Sequence, residues 1–98
     1  MTKYAIYTKW HWKDGLASPE EIQNGMRENL LGKTDAEDVI WWKMDDNHHQ
    51  SVIIFSSEEL AKSENDRRQA MREKTSSDSN ITMVEEYMGP VLSQLSNL

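Results

Sequence analysis

The chain has 98 residues, 37% of them hydrophobic and 29% charged, with a formal net charge of −6 and no cysteine. A domain this short buries under about two-thirds of its unfolded surface. Its apolar share is low for a self-sufficient globule, so part of its stability is expected from a second copy. The acidic balance excludes nucleic acid or an anionic membrane as the default partner, and the absence of thiols excludes a disulfide framework and thiolate chemistry.

The first strand is expected at Lys3–Trp12, with Tyr4, Ile6, Trp10 and Trp12 on one face and Ala5 and Tyr7 on the other. Nothing in Met1–Ile6 has the apolar stretch of a signal peptide, and no run reaches transmembrane length, so a cytoplasmic, non-membrane protein is expected. Lys13-Asp14-Gly15 is a turn signal. Ser18-Pro19-Glu20-Glu21 then predicts a helix start. Ser18 can accept from the backbone at Glu21, Glu21 can reach back, and Pro19 takes the first position, where no amide donor is needed. Ile22, Met26 and Leu30 make a narrow apolar stripe. Gly25 weakens this helix by about 1 kcal/mol relative to Ala, and Gly32 supplies a left-handed stop. Lys33–Asp38 is a polar connector.

Val39–Met44 and Gln50–Phe55 flank Asp45-Asp46-Asn47, with His48 and His49 just after, and read as a β-hairpin. Both runs are apolar on two faces: Ile40, Trp42 and Met44 oppose Val39 and Trp41, and Val52 and Ile54 oppose Ile53 and Phe55. Ser56 and Glu59 stand at capping-box spacing before a very polar second helix, Ser57–Lys74. After a loop at Thr75–Ser79, the fourth strand is expected over Asn80–Met88, ended by Gly89-Pro90. Val91, Leu92, Leu95 and Leu98 suggest a short amphipathic helical tail.

The order is strand, helix, strand, strand, helix, strand across a single domain, residues 1–98, which predicts an α+β, ferredoxin-like βαββαβ fold. Right-handed crossovers place both helices on one face of a four-stranded antiparallel sheet, with the first and third strands central. The opposite face then needs a cover, because it is apolar. This order, the size and the two-sided strands resemble the dimeric α/β-barrel superfamily of small ferredoxin-like proteins. That superfamily includes antibiotic-biosynthesis-type monooxygenases, haem-degrading monooxygenases and stress-responsive barrel proteins. The resemblance covers nearly the whole chain, carries no family-specific motif, and implies a homodimer in which two sheets pack face to face. The Asn, Trp and His set of the haem-degrading branch has no match, and Ser57–Lys74 contains no histidine to act as an axial ligand. No cofactor is expected.

Trp10-His11-Trp12 is the most conspicuous cluster. On a continuous strand both indoles share a face and His11 points the other way. The cluster can be an aromatic wall for a flat ligand with His11 as a titratable group, or two tryptophans filling a dimer core beside a solvated histidine. The packing reading is preferred. Trp41 and Trp42 must face opposite sides of their strand, and Trp42, in phase with Ile40 and Met44, is a candidate pocket wall. The ligand-binding candidates are therefore Trp10, His11, Trp12 and Trp42, for a small aromatic molecule.

Asp45, Asp46, His48 and His49 are metal ligands by type, but consecutive histidines at a hairpin mouth diverge, so a solvated turn is preferred and no metal is expected. Glu85-Glu86-Tyr87 reads as edge-strand charge that discourages aggregation. Arg67-Arg68 and Arg72 pair with Glu64 and Glu73 on a solvated helix face. The same element order occurs in RNA-recognition domains, yet Gln50–Phe55 lacks their Gly-aromatic pattern. No acid, base and nucleophile converge, so no catalytic residue is assigned. The preferred expectation is a structural or small-ligand-binding homodimer. The alternative is a cofactor-independent monooxygenase or isomerase acting on an aromatic or polyketide-like molecule.

Overall fold

The computed structural model describes residues 2–64, 70 and 81–98. Its elements are β1 (Tyr4–Trp12), α1 (Pro19–Asn29), β2 (Asp38–Asp45), β3 (His48–Phe55), α2 (Glu58–Ser63) and β4 (Ile81–Pro90). The strands form an antiparallel sheet in the order β2-β3-β1-β4, with β3 and β1 in the middle. This is a small α+β architecture compatible with a ferredoxin-like fold. The sequence pairs Arg67-Arg68 and Arg72 and the loop Thr75–Ser79 lie outside the described residues, as does all of the expected second helix beyond Glu64 except Ala70.

Strand alternation sorts the side chains into two faces. Ile6, Thr8, Trp10 and Trp12 of β1 stand beside Ile53, Ser51 and His49 of β3 on the helix side. Ala5, Tyr7, Lys9 and His11 stand beside Ile54, Val52, Gln50 and His48 on the other, helix-free side. Two register shifts adjust the edges: one between Lys43 and Asp45 against β3, and one where β4 meets Lys9 and Trp10.

The hairpin turn is tighter than the sequence suggests. Only Asp46 and Asn47 lie between β2 and β3, so His48 and His49 belong to the strand. The shift beside Lys43 lets the ladder run on, and Asn47 extends it by accepting from Trp12 N at 2.7 Å. The expectation that both histidines are solvated turn residues is therefore corrected for His49, which is 3% exposed. β4 likewise runs on to Pro90, opposite Tyr4. An edge strand tolerates proline because one side of its backbone needs no ladder donor. The expected amphipathic tail is instead a single, uncapped 3-10 turn at Leu95–Asn97, with Leu92, Leu95 and Leu98 exposed.

α1 starts as its residues dictate: Ser18 Oγ accepts from Glu21 N at 3.2 Å, Pro19 opens the first turn, and Gly32 takes φ 74° beyond the end. α2 is capped by Ser57, whose side chain accepts from Leu60 N. The apolar core is small and lies under α2, where Ile6, Phe55 and Ala61 are buried and Tyr4, Ala36, Ile53 and Leu60 pack around them. α1 contributes no buried residue. Its stripe of Ile22, Met26 and Leu30 is only half-buried, and that leaves space between helix and sheet.

Candidate functional site

The space under α1 is a cavity of about 330 Å³, with Thr8, Ser51 and His49 on its floor and Trp10, Trp12 and Met83 among its walls. A wider cleft of about 770 Å³ opens beside it towards the β2 edge, where Trp42 and Lys43 line it. The two share Ala17, Ile22, Met26, Val39, Trp41 and His49, so they meet around the Trp41 and His49 rings. One end is closed by the loop after β1. Leu16 N donates to Asp46 O at 3.0 Å, and Gly15, at φ 89°, makes the left-handed bend that brings the loop onto the hairpin turn.

His49 is the centre of an aromatic row that crosses three strands. Trp41 on β2 stacks on it with centroids 4.3 Å apart and planes 19° apart. Trp10 on β1, on the opposite side in the sheet order, lies parallel within 6° at 6.3 Å. Trp12 meets the ring edge-on at 5.7 Å and donates its indole N–H to His49 Nδ1 at 2.8 Å. Burial of the imidazole among these rings lowers its pKa to about 4, because the charged form would lose its hydration. Beside it Trp10 Nε1 donates to Thr8 Oγ1 at 3.0 Å, and the Thr8 and Ser51 hydroxyls share a hydrogen bond.

The four sequence candidates separate. Trp10 and Trp12 line the cavity. His11 lies on the helix-free face, its ring 4.9 Å from that of His48. His48 Nδ1 is in turn 2.9 Å from Asp45 Oδ1, and this contact, with the Asn47 backbone donor, holds the Asp45 carboxyl below the usual carboxylate range. Trp42 is also on the helix-free face. There it donates to Gln50 Oε1 at 2.8 Å, Gln50 donates to the Tyr7 hydroxyl at 2.7 Å, and Tyr7 stacks on Tyr87 at 5.9 Å. This row touches all four strands. Ile40, Trp42 and Tyr87 on the same face are 50%, 41% and 65% exposed.

Sequence reasoning missed His49 and treated Trp41 only as packing. The signal for His49 is its phase: it stands two residues before Ser51 in the series Ser51, Ile53, Phe55. Among the described residues no three His, Asp or Glu side chains gather as a metal site, and no helix is long and apolar enough to cross a membrane. No protein-family model matches the chain, and no curated protein matches it. These comparisons therefore add nothing to the resemblance to the dimeric α/β-barrel superfamily, and the structure by itself supports a small α+β architecture compatible with a ferredoxin-like fold.

Proposed function

We propose that this protein is a non-catalytic homodimer that binds a small, flat, apolar molecule in the space beneath α1. The observation that carries the reading is the position of α1, which brings no buried residue and holds its apolar stripe over a tryptophan-lined cavity. Ligand sites have this make-up, apolar and aromatic walls with few polar groups. The cavity is of a size for one small ring system. Trp10 and Trp12 supply ligand-facing surface, Trp42 belongs to the outer cleft, and His11 takes no part.

The homodimer reading is supported by the helix-free face, where exposed Ile40, Trp42 and Tyr87 adjoin Val52 and Ile54. Apolar surface of this extent on a sheet favours burial, and a second copy offers the matching face by two-fold symmetry. The enzymatic alternative draws less support. The imidazole in the cavity is His49, whose pKa of about 4 makes it a weak base at neutral pH.

Tryptophan fluorescence during titration with flat aromatic compounds tests the binding reading. Trp10→Phe and Trp12→Phe should lose most of the response, while Trp42→Phe keeps it. Binding that leaves the first two indoles unaffected overturns the reading. Turnover of any such compound would restore the enzymatic one.

A further inference from the structure

Among the described residues, two hydrogen atoms on side chains that line the cavity lack an acceptor. An indole nitrogen only donates, so the bond from Trp12 Nε1 makes His49 Nδ1 the bare nitrogen of the neutral ring and puts the proton on Nε2. Nε2 is buried and has no hydrogen-bond partner among the described residues. The second unspent donor is a hydroxyl. Thr8 and Ser51 are buried, their mutual bond uses one of two hydroxyl protons, and Thr8 already accepts from Trp10. Whichever oxygen donates in that bond, one O–H remains. His49 and Ser51 stand two residues apart on the same face of β3, which sets their Cα atoms about 7 Å apart. Buried donors without acceptors are costly and are seldom left so without a reason.

Resting on the ligand-binding reading above, we infer that the cavity selects an uncharged planar molecule bearing a carbonyl oxygen that accepts from His49 Nε2–H. Trp12 sets the tautomer that makes this donor available, and Trp41 and Trp10, stacked on either side of the ring, hold its plane. Nε2 is shut off from solvent, so an acceptor reaches it from the cavity only when a covering ring shifts. Trp41 stacks on the imidazole and is 36% exposed, which makes it the covering ring in question. The ligand is uncharged for two reasons. The floor offers neutral donors and no buried carboxylate to meet a cation. An anion would meet a ring that stays neutral, Glu21 at the rim, and a chain of net charge −6.

The test uses the full chain, labelled with nitrogen-15, and two probes of equal ring size: coumarin, which has a carbonyl, and naphthalene, which has none. Long-range proton–nitrogen spectra of the free protein should show His49 as the Nε2–H tautomer, and coumarin should shift that Nε2–H resonance. In His49→Phe, coumarin affinity should fall roughly three- to tenfold, the range of one neutral hydrogen bond, while naphthalene affinity is retained. An Nδ1–H tautomer, coumarin binding that leaves Nε2 unmoved, or equal loss of both probes overturns the inference and leaves the binding reading standing. If neither probe binds the wild-type chain, the binding reading falls with it. The wild-type spectra decide the matter even where His49→Phe folds poorly.

Discussion

Trp12 donates its indole N–H to His49 Nδ1 at 2.8 Å, tying the last residue of β1 to the second residue of β3. The bond fixes which ring nitrogen of His49 stays bare, and burial keeps the ring neutral. Its consequence is a pH-dependent stability with a definite sign. The unfolded chain takes up a proton at His49 near pH 6.5, while the folded chain resists until about 4. Between those values the unfolded state binds more protons, so stability is full above about 6.5 and falls as pH drops towards 4. The loss is on the order of 2–3 kcal/mol. Urea unfolding at a series of pH values checks this, and His49→Phe should flatten that part of the profile. A wild-type midpoint constant from pH 7 to 4.5 would contradict the burial of a neutral imidazole.

The proposed homodimer predicts a selective response to charge on the helix-free face. Val52, paired with Tyr7 and Ile40 at the middle of that face, is the position of choice. In a dimer Val52→Lys buries an unpaired charge and costs several kcal/mol, enough to dissociate the subunits. In a monomer the same lysine reaches solvent at little cost. Sedimentation at micromolar concentration should give the wild type at twice the 11.4 kDa chain mass and the variant at or near the single mass. A wild type that sediments only as a single chain removes the dimer.

Much of this fold is legible in the sequence, for physical reasons that differ by element. The central strands announce themselves because Tyr4–Trp12 and Val52–Phe55 are apolar on both faces, and α1 because Ser18-Pro19-Glu20-Glu21 is a helix-start pattern. The site is half legible. Trp10 and Trp12 share a face by simple alternation, but His49 is hidden by the turn. Asp45-Asp46-Asn47 looks like a three-residue turn followed by loop histidines, whereas the register shift at Lys43 recruits both histidines into β3. Such a shift is set by how the two strands pair, which the apolar alternation along either strand does not show. Glu64 is hidden in the same way: it reads as surface charge on a polar helix, and its partners lie about thirty residues away in the connector.

α1 depends more on its own ends than a packed helix does. It has no buried residue, so tertiary contacts contribute little, and an 11-residue helix is marginal by itself. Ser18→Ala removes the acceptor for Glu21 N and should lower stability by about 0.5–2 kcal/mol. Because α1 roofs the cavity, the same variant should bind flat aromatic compounds more weakly at temperatures well below its unfolding midpoint. An unchanged denaturation midpoint would show that another group replaces the cap.

Glu64 closes the connector between α1 and β2 from the end of α2. Its carboxylate accepts from Asp35 N at 2.7 Å and from the Thr34 hydroxyl at 2.9 Å, and Thr34 Oγ1 accepts in turn from Ala36 N at 3.2 Å. Ala36 packs on the core of Ile6, Phe55 and Ala61, so this relay fixes the connector where it crosses the core. Glu64 is 8% exposed, and truncating it deprives the half-buried Thr34 hydroxyl and the Asp35 amide of this acceptor. Glu64→Ala should therefore cost about 1–3 kcal/mol, well beyond the usual effect of removing a surface charge. Glu64→Gln retains one acceptor oxygen and should cost less. Hydrogen exchange supplies the local readout: the Asp35 amide should lose protection in Glu64→Ala, while the amides of β1 and β3 change only with global stability. Protection at Asp35 that survives the alanine variant would show that the connector is held by other means.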